Sequence, residues 1–322
     1  MATMKKYLFL FLLIPFLLSC EEEVPVISEE AERFLTEVLD IMEQNSLKRK
    51  EIDWPALRTE VTELVGAAQN TSDTYEGIRR ALTRIDDKHS FFRTPFGSFI
   101  SGENGLICQA PIVREPPLPD DIGYVRIRSF SGASNDSRAI SFAEAIQNSI
   151  RDQDSSNIKG WIVDLRGNGG GNMWPMLAGV GPILGQGVAG HFIDPNNNVT
   201  AWGYDNGKAF INLFTNTQIN NPYQLINPDP KVAVLQDKQL ASSGEAIAIA
   251  FIGRENTRSF GTETCGLSTS NNSYSLSDNS TLFLTTSFMA DRDRNTFGDS
   301  VPPDQEASPQ NIIEDAISWI EN

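Results

Sequence analysis

Residues 160–171 have the sequence Gly160-Trp161-Ile162-Val163-Asp164-Leu165-Arg166-Gly167-Asn168-Gly169-Gly170-Gly171. The first half is apolar apart from Asp164, which is typical of a strand buried on both faces. The second half has four glycines in five positions, and glycine lets the backbone approach a bound group with its N–H groups directed into a cavity. The stretch predicts a buried strand that leads into an oxyanion hole, an anion site or a tight turn.

Nucleotide phosphate is one anion that such loops bind. The sequence has neither the Gly-Lys-Ser/Thr of a P-loop nor a GxGxxG order after the strand. These absences argue against a nucleotide site and leave the oxyanion hole and the turn open.

Strands and helices alternate on both sides of this stretch, which predicts an α/β (mixed α+β) fold with a crossover sheet. Strands are predicted at 123–130, 160–165, 188–204 (a pair), 232–235 and 272–289, and helices at 140–150, 173–184, 242–252 and 310–320.

Residues 28–86 show helical spacing of apolar side chains instead. One helix starts after Ser28, a second follows Trp54, and a third starts at Asp73, where Asp73-x-x-Glu76 has the form of a capping box. We therefore predict a small helical unit in front of the α/β core.

The first twenty residues predict export. Lys5 and Lys6 precede an apolar run from Tyr7 to Leu18, which is too short for a stable membrane anchor. The run ends at Leu17-Leu18-Ser19-Cys20, which resembles a bacterial lipoprotein cleavage box. This resemblance implies a signal peptide at 1–19, lipid on Cys20, a tether at 20–27 and attachment to the bacterial cell envelope membrane. Glu21, rather than Asp, favours the outer membrane, with the membrane face left open.

Composition limits the partners and cofactors. The formal net charge of −16 makes nucleic acid an unsuitable partner. With Cys20 lipidated, Cys108 and Cys265 remain, and an export compartment would permit them to pair. The sequence has no CxxC motif and no Cys/His cluster, so no zinc site, other metal site or cofactor is predicted.

Two further stretches carry reactive side chains. Ala241-Ser242-Ser243-Gly244-Glu245 lies between a predicted strand and a helix, where a serine hydroxyl projects from the carboxyl edge of a sheet. Serine is also a common helix N-cap, so this stretch alone is ambiguous. Of the two histidines, His89 lies in polar surroundings after a helix, whereas His191 lies in a predicted strand. His89 is therefore the better candidate for a base.

Three segments in this order resemble the S41 peptidases, namely Asp87-Lys88-His89-Ser90, the strand that ends in Asp164-Leu165-Arg166-Gly167-Asn168-Gly169-Gly170-Gly171, and Ala241-Ser242-Ser243-Gly244-Glu245. Weaker matches at 123–130, 260–266 and Pro303-Asp304 extend the resemblance over roughly residues 75–306. The resemblance implies a core similar to ClpP and crotonase. With the helical unit, we expect an N-terminal helical subdomain at 28–95, a connector at 96–122 and the peptidase core at 123–322.

The resemblance also implies roles for individual residues. Ser242 would be the nucleophile, and Gly169 or Gly170 would form the oxyanion hole with the N–H of Ser243. The tail-specific branch uses a lysine as its base, but Leu267 occupies the matching position here. The chain is therefore similar to the tricorn-like branch, with His89 as base and Ser90 as the second hydroxyl.

The carboxylate that would orient the base is ambiguous. Asp299 lies closest to the family's position, and the competing residues are Glu263, Asp291 and Asp293. About thirty residues separate Phe92 from Gly123, which is too few for the PDZ domain that many relatives insert there.

The sequence thus predicts an exported, lipid-anchored serine endopeptidase that cleaves peptides or unfolded protein segments, with its oligomeric state open. The alternatives are an inactive relative that binds a peptide or other ligand without cleaving it, and a structural envelope lipoprotein.

Overall fold

A computed structural model describes residues 26–108 and 115–322. The predicted signal peptide, Cys20 and most of the predicted tether lie outside the described residues. The helices are α1 (Glu29–Asn45), α2 (Trp54–Leu64), α3 (Tyr75–Ile85), α4 (Ser137–Gln153), α5 (Met173–Leu184), α6 (Ser243–Phe251) and α7 (Ile312–Glu321). The strands are β1 (Phe91–Arg93), β2 (Phe99–Ser101), β3 (Ile122–Arg126), β4 (Gly160–Asp164), β5 (Gly187–Ile193), β6 (Val199–Asp205), β7 (Lys208–Ile211), β8 (Phe214–Gln218), β9 (Lys231–Gln236), β10 (Thr257–Gly261), β11 (Thr269–Ser275), β12 (Thr281–Ala290) and β13 (Gln305–Glu306).

Five strands form a parallel sheet in the order β13-β10-β9-β4-β3. The strand of the opening stretch, β4, is buried along its whole length near the middle of this sheet. Trp161 and Val163 face the core that contains α4, α5 and α6, while Ile162 faces α7 on the other side. Neighbouring side chains of a strand point to opposite faces, so helices on both faces explain the continuous apolar run. The α/β prediction is confirmed.

The second sheet is antiparallel, with the order β2-β1-β12-β5-β6-β7-β8 and β11 paired to the other edge of β12. One face is covered by the helical unit, because Phe92, Leu282 and Leu284 share a buried cluster with α1, α2 and α3. The predicted subdomain at 28–95 thus contributes β1 to a sheet that the predicted core completes, and β2 lies in the predicted connector.

Local details differ from the sequence predictions. The capping box is formed by Asn70 and Asp73, not by Asp73 and Glu76, and a short 3-10 turn at Thr71–Thr74 precedes α3. The side chain of Asp73 is already occupied by the amides of Gln69 and Asn70. The short strands β2, β7 and β8 were not predicted, because their apolar residues are too few to show alternation.

A disulfide joins Cys108 to Cys265, the two cysteines that an export compartment would permit to pair. Cys265 lies in the turn between β10 and β11, and its backbone N–H donates to the carbonyl of Leu240, just before Ser242. The disulfide therefore attaches the segment after β2 to the region of the predicted nucleophile. Among the described residues, no helix combines the length and the apolar character needed to cross a membrane.

Candidate active site

Ser242 lies at a strained turn between β9 and α6. Its backbone has φ 53° and ψ −123°, a region that residues with a side chain rarely adopt. Such a strand-to-helix turn presents the serine hydroxyl at the carboxyl edge of the sheet and next to the positive end of the helix dipole. The backbone geometry is that expected of a nucleophilic serine rather than of an ordinary N-cap, which has extended φ and ψ.

His89 reaches this turn from a distant part of the chain. Its Nε2 lies 2.9 Å from the Oγ of Ser242, although the two residues are 153 positions apart. Its Nδ1 lies 2.8 Å from the Oγ1 of Thr269, at the start of β11. When the serine hydroxyl donates to Nε2, the ring proton is on Nδ1 and is donated to the hydroxyl of Thr269.

The surroundings of His89 keep its ring neutral. The side chain is buried, and desolvation lowers its pKa from 6.5 to about 4. A neutral imidazole near pH 7 has a free lone pair on Nε2, which is the form that accepts a proton from serine. Once protonated, a ring with such a low pKa gives its proton up readily.

Backbone contacts fix the position of His89. The Oδ1 of Asp87 accepts hydrogen bonds from the N–H groups of His89 and Ser90, at 3.0 and 2.7 Å. On the other side, the Nδ2 of Asn271 donates to the carbonyl of His89 at 2.9 Å. Burial raises the pKa of the Asp87 carboxyl, and its hydrogen bonds oppose that rise. The histidine is therefore held between the end of α3 and β11.

Ser90 lies beside His89 in the chain but does not contact its ring. Its hydroxyl donates to the Oδ2 of Asp87 at 2.5 Å and accepts from the N–H of Thr285 at 2.9 Å. Ser90 was predicted as the second hydroxyl beside the base, whereas the hydroxyl that contacts the Nδ1 of His89 is that of Thr269. Ser90 instead links the end of α3 to β12.

The glycine loop packs directly against the nucleophile turn. A Cβ atom on Gly170, whose φ is 95°, would lie 2.7 Å from the carbonyl oxygen of Ala241 and 2.8 Å from the Cβ of Ser242. Only glycine fits at this position. The N–H of Gly170 donates to the Oδ1 of Asn168 at 2.9 Å, so it is already engaged. Within residues 26–108 and 115–322, the N–H groups of Gly169 and Ser243 have no acceptor.

Glu245 supports the nucleophile from beneath. Its side chain is 0% exposed and accepts four hydrogen bonds, which come from the N–H groups of Ser242, Gly266 and Leu267 and from the hydroxyl of Thr264. Burial raises the pKa of this carboxyl against the effect of those bonds. One buried side chain thus joins the nucleophile turn to the turn that carries Cys265.

None of the four carboxylates predicted to orient the base, Glu263, Asp291, Asp293 and Asp299, contacts the ring of His89 within the described residues. Glu263 accepts from Ser300, Asp291 accepts from Asn295, and Asp299 is exposed, with its backbone carbonyl bonded to the hydroxyl of Ser268. Within the described part of the chain, the ring of His89 bonds only to Ser242 and Thr269. Sequence reasoning missed Thr269, because nothing distinguishes it from the other hydroxyl residues of the chain.

The second histidine, His191, is buried in β5 with its Nδ1 2.9 Å from the carbonyl of Asp291. It makes no contact with the Ser242–His89 pair. In the two described ranges, no three His, Cys, Asp or Glu side chains are grouped so that they could hold a metal ion.

Known proteins resemble this chain in sequence and in fold. The profile of peptidase family S41 matches residues 121–307. The nisin-resistance protein of Lactococcus lactis subsp. lactis is 27% identical over 316 residues, which cover 97% of this chain and 94% of that protein. A lipoprotein from Streptococcus agalactiae shares the fold with a TM-score of 0.70 at 24% identity, over 98% of this chain and 99% of that one. The photosystem II D1 C-terminal processing protease shares the fold with a TM-score of 0.59 at 16% identity, over 88% of this chain and 94% of that one.

Proposed function

The chain belongs to peptidase family S41, and from this membership we propose that it is an exported serine endopeptidase that cleaves peptides or unfolded protein segments. The observation that carries the proposal is the distance of 2.9 Å between the Nε2 of His89 and the Oγ of Ser242. A serine hydroxyl within hydrogen-bond reach of a neutral imidazole is the arrangement that nucleophilic catalysis requires.

The reaction would proceed through an acyl-enzyme. The Oγ of Ser242 attacks the peptide carbonyl carbon while its proton moves to the Nε2 of His89. The N–H groups of Gly169 and Ser243 would stabilise the negative oxygen, because neither has an acceptor among the described residues. His89 then gives its proton to the leaving amine as the C–N bond breaks, and a water molecule repeats the sequence to release the acid.

Thr269 would hold the imidazole in the tautomer that this reaction needs. A hydroxyl carries no charge, so it orients the ring without stabilising the imidazolium as a carboxylate would. This agrees with the low pKa of His89 and fits a base that returns its proton quickly.

We further propose that the enzyme acts at the cell envelope, attached through lipid on Cys20. The Cys108–Cys265 disulfide supports an oxidising compartment outside the cytosol. A relative from Lactococcus lactis has the name nisin-resistance protein, so nisin is the first compound to test as a substrate.

A fluorophosphonate probe tests the nucleophile, because it reacts covalently with activated serines. The purified protein should be labelled at Ser242, Ser242→Ala should abolish the labelling because the reacting hydroxyl is absent, and His89→Ala should reduce its rate by roughly a thousandfold. His191→Gln is the matched control, since it alters the other histidine, and it should keep the wild-type labelling rate.

Folding of each variant is checked by circular dichroism. A folded wild-type protein that resists the probe would refute the proposal and favour a ligand-binding role. Full labelling of the His89→Ala variant would instead show that another group is the base.

A further inference from the structure

Three phenylalanines form a cluster on the antiparallel sheet beside the active site. The rings of Phe91 on β1 and Phe283 on β12 are stacked with their centroids 4.6 Å apart. Phe99 on β2 meets Phe91 edge to face at 5.7 Å. We call Phe91, Phe99 and Phe283 the phenylalanine cluster.

The cluster lies on the face of the sheet that the helices do not cover. Phe92 and Leu282, the chain neighbours of Phe91 and Phe283, are buried against α1, α2 and α3. Since neighbours in a strand point to opposite faces, the phenylalanine cluster points away from those helices. Phe99 is 68% exposed, which confirms that this face is open.

Aromatic side chains are unusual on an open sheet face. Antiparallel sheets with one solvated face place polar residues there, as this sheet does at Ser101, Ser273 and Ser275. Three adjacent aromatic rings give nothing to the core in this position. Phe99 is exposed and Phe91 and Phe283 are half-buried, and apolar side chains grouped on an open face commonly mark a binding site.

The cluster is continuous with the Ser242–His89 pair. Phe91 is two residues beyond His89, so their Cα atoms are at most about 7 Å apart. A separation of two residues also occurs on the pair β11 and β12. The side chain of Asn271 on β11 donates to the carbonyl of His89, and Asn271 is paired with Thr285 on β12, which is two residues from Phe283. The phenylalanine cluster therefore begins two residues along the chain from the proposed base.

We infer that the phenylalanine cluster is a substrate subsite for an apolar side chain located two or three residues from the cleaved bond. The inference rests on the proposed peptidase function. An extended peptide advances about 3.3 Å per residue, so a side chain two residues from the reacting carbonyl reaches about 7 Å along the sheet. This matches the separation between His89 and the cluster.

Arg93 adds a second element of selectivity. Its guanidinium lies 5.9 Å from the centre of the Phe283 ring, and its Nη2 donates to the hydroxyl of Thr281 at 3.3 Å. A cation at the border of an apolar subsite repels lysine and arginine side chains. The subsite therefore takes leucine, isoleucine, phenylalanine or methionine in preference to basic residues.

Cleavage of a complex peptide mixture, read by mass spectrometry, should reveal this preference on one side of the cut. Two peptides that differ only at the preferred position, with Phe or Ser, then give a selectivity ratio in kcat/KM. We expect a ratio of roughly tenfold or more for the wild type and a ratio near one for Phe99→Ser. Phe99→Leu should keep most of the selectivity.

Phe214→Ser is the matched control. Phe214 is 74% exposed on β8, at the opposite edge of the same sheet, and its replacement should leave the ratio at the wild-type value. An unchanged selectivity ratio in Phe99→Ser would overturn the inference. A fall of the ratio in Phe214→Ser as large as that in Phe99→Ser would overturn it too.

Two other outcomes are separable. A wild-type protein that reacts with the fluorophosphonate probe but shows no apolar preference refutes the subsite and leaves the nucleophile in place, whereas absence of labelling refutes the peptidase function itself. If Phe99→Ser keeps its ratio but loses binding to phospholipid vesicles, the cluster faces a membrane and the inference is wrong.

Discussion

Ser242 and His89 reach the same point from two sheets, and the two sheets hold them differently. Ser242 follows a strand of the parallel sheet and is fixed by Glu245, only three residues away, through a bond of 2.7 Å to its N–H. His89 precedes a strand of the antiparallel sheet, and Thr269 and Asn271, which contact it, are about 180 residues away in the chain. Ser242 is thus held through a buried carboxylate that also binds the turn carrying Cys265, whereas His89 is held by the nearby Asp87 and by two residues of β11.

This difference indicates which half of the site should tolerate change. A buried carboxylate with four donors cannot be removed without leaving those donors unsatisfied. His89 is held by four separate groups, and its contacts with Thr269 and Asn271 depend on the pairing of the helical unit with β12. The following predictions test the contrast between the two regions.

The largest effect is expected for Glu245→Ala. Three backbone N–H groups and the hydroxyl of Thr264 would lose their buried acceptor, so the free energy of unfolding should fall by roughly 4 kcal/mol. Asp87→Ala, the corresponding change beside His89, should lower it by roughly 2 kcal/mol, because Asp87 has fewer donors. Urea unfolding measures both free energies. An equal decrease in the two variants would show that the surroundings of Ser242 and of His89 do not differ in their tolerance of change.

Loss of the disulfide is expected to have the second largest effect on stability. Replacing both cysteines (Cys108→Ser with Cys265→Ser) removes a link between residues 157 positions apart and should lower the free energy of unfolding by roughly 3 kcal/mol. The reduced wild-type protein should behave in the same way as the double variant. If thermal unfolding of the oxidised and reduced proteins coincides, the link contributes nothing to stability.

Thr269→Val should lower kcat/KM by roughly tenfold, which corresponds to about 1.4 kcal/mol. Valine has the same shape but leaves the Nδ1 of His89 without an acceptor, so the ring loses its preferred tautomer. Thr269→Ser restores a hydroxyl and should recover most of the activity. A purely structural role would give parallel losses of stability in both variants, and the pH profile of Thr269→Val would then match that of the wild type.

The smallest effect is expected from acidification. In the proposed mechanism the neutral form of His89 is the active one, and the pKa of His89 is lowered to about 4, so activity should fall only as the pH drops through that value. Between pH 7 and pH 5 the change in kcat/KM should be less than about twofold, whereas a histidine with the ordinary pKa of about 6.5 would cause a loss of roughly thirtyfold at pH 5. The pH dependence of kcat/KM distinguishes the two, and an inflection near 6.5 would show that the ring is solvated.

Much of the α/β core could be predicted from the sequence. Helix α5 extends over the predicted residues, and β4 and β9 lie within one or two residues of their predicted bounds. Buried strands and helices in such a core are continuous apolar runs bounded by glycine, which are visible without tertiary information. The position of Ser242 between a strand and a helix is also a local property, but that position alone is ambiguous, and its role as nucleophile rests on the family resemblance and stays a prediction.

The environment of the base was not predictable to the same extent. Ser90 is the chain neighbour of His89, yet its side chain points to Asp87 and Thr285. Asp87 accepts from the N–H groups of both residues in the bend after α3, and there adjacency in the chain does not imply that the two side chains share a partner. Thr269 becomes a partner only because β11 pairs with β12, and no local pattern encodes that pairing. The catalytic roles of these residues, and of Asp299, stay predictions.

The disulfide closes part of the backbone into a covalent ring. Its ring extends from Cys108 to Cys265 and contains both the glycine loop and Ser242, while His89 lies on the arm that enters it. A protease that cuts one backbone bond within this ring would open it without releasing a fragment. A chain cut once within this ring would therefore keep Ser242 and His89 in one covalent molecule.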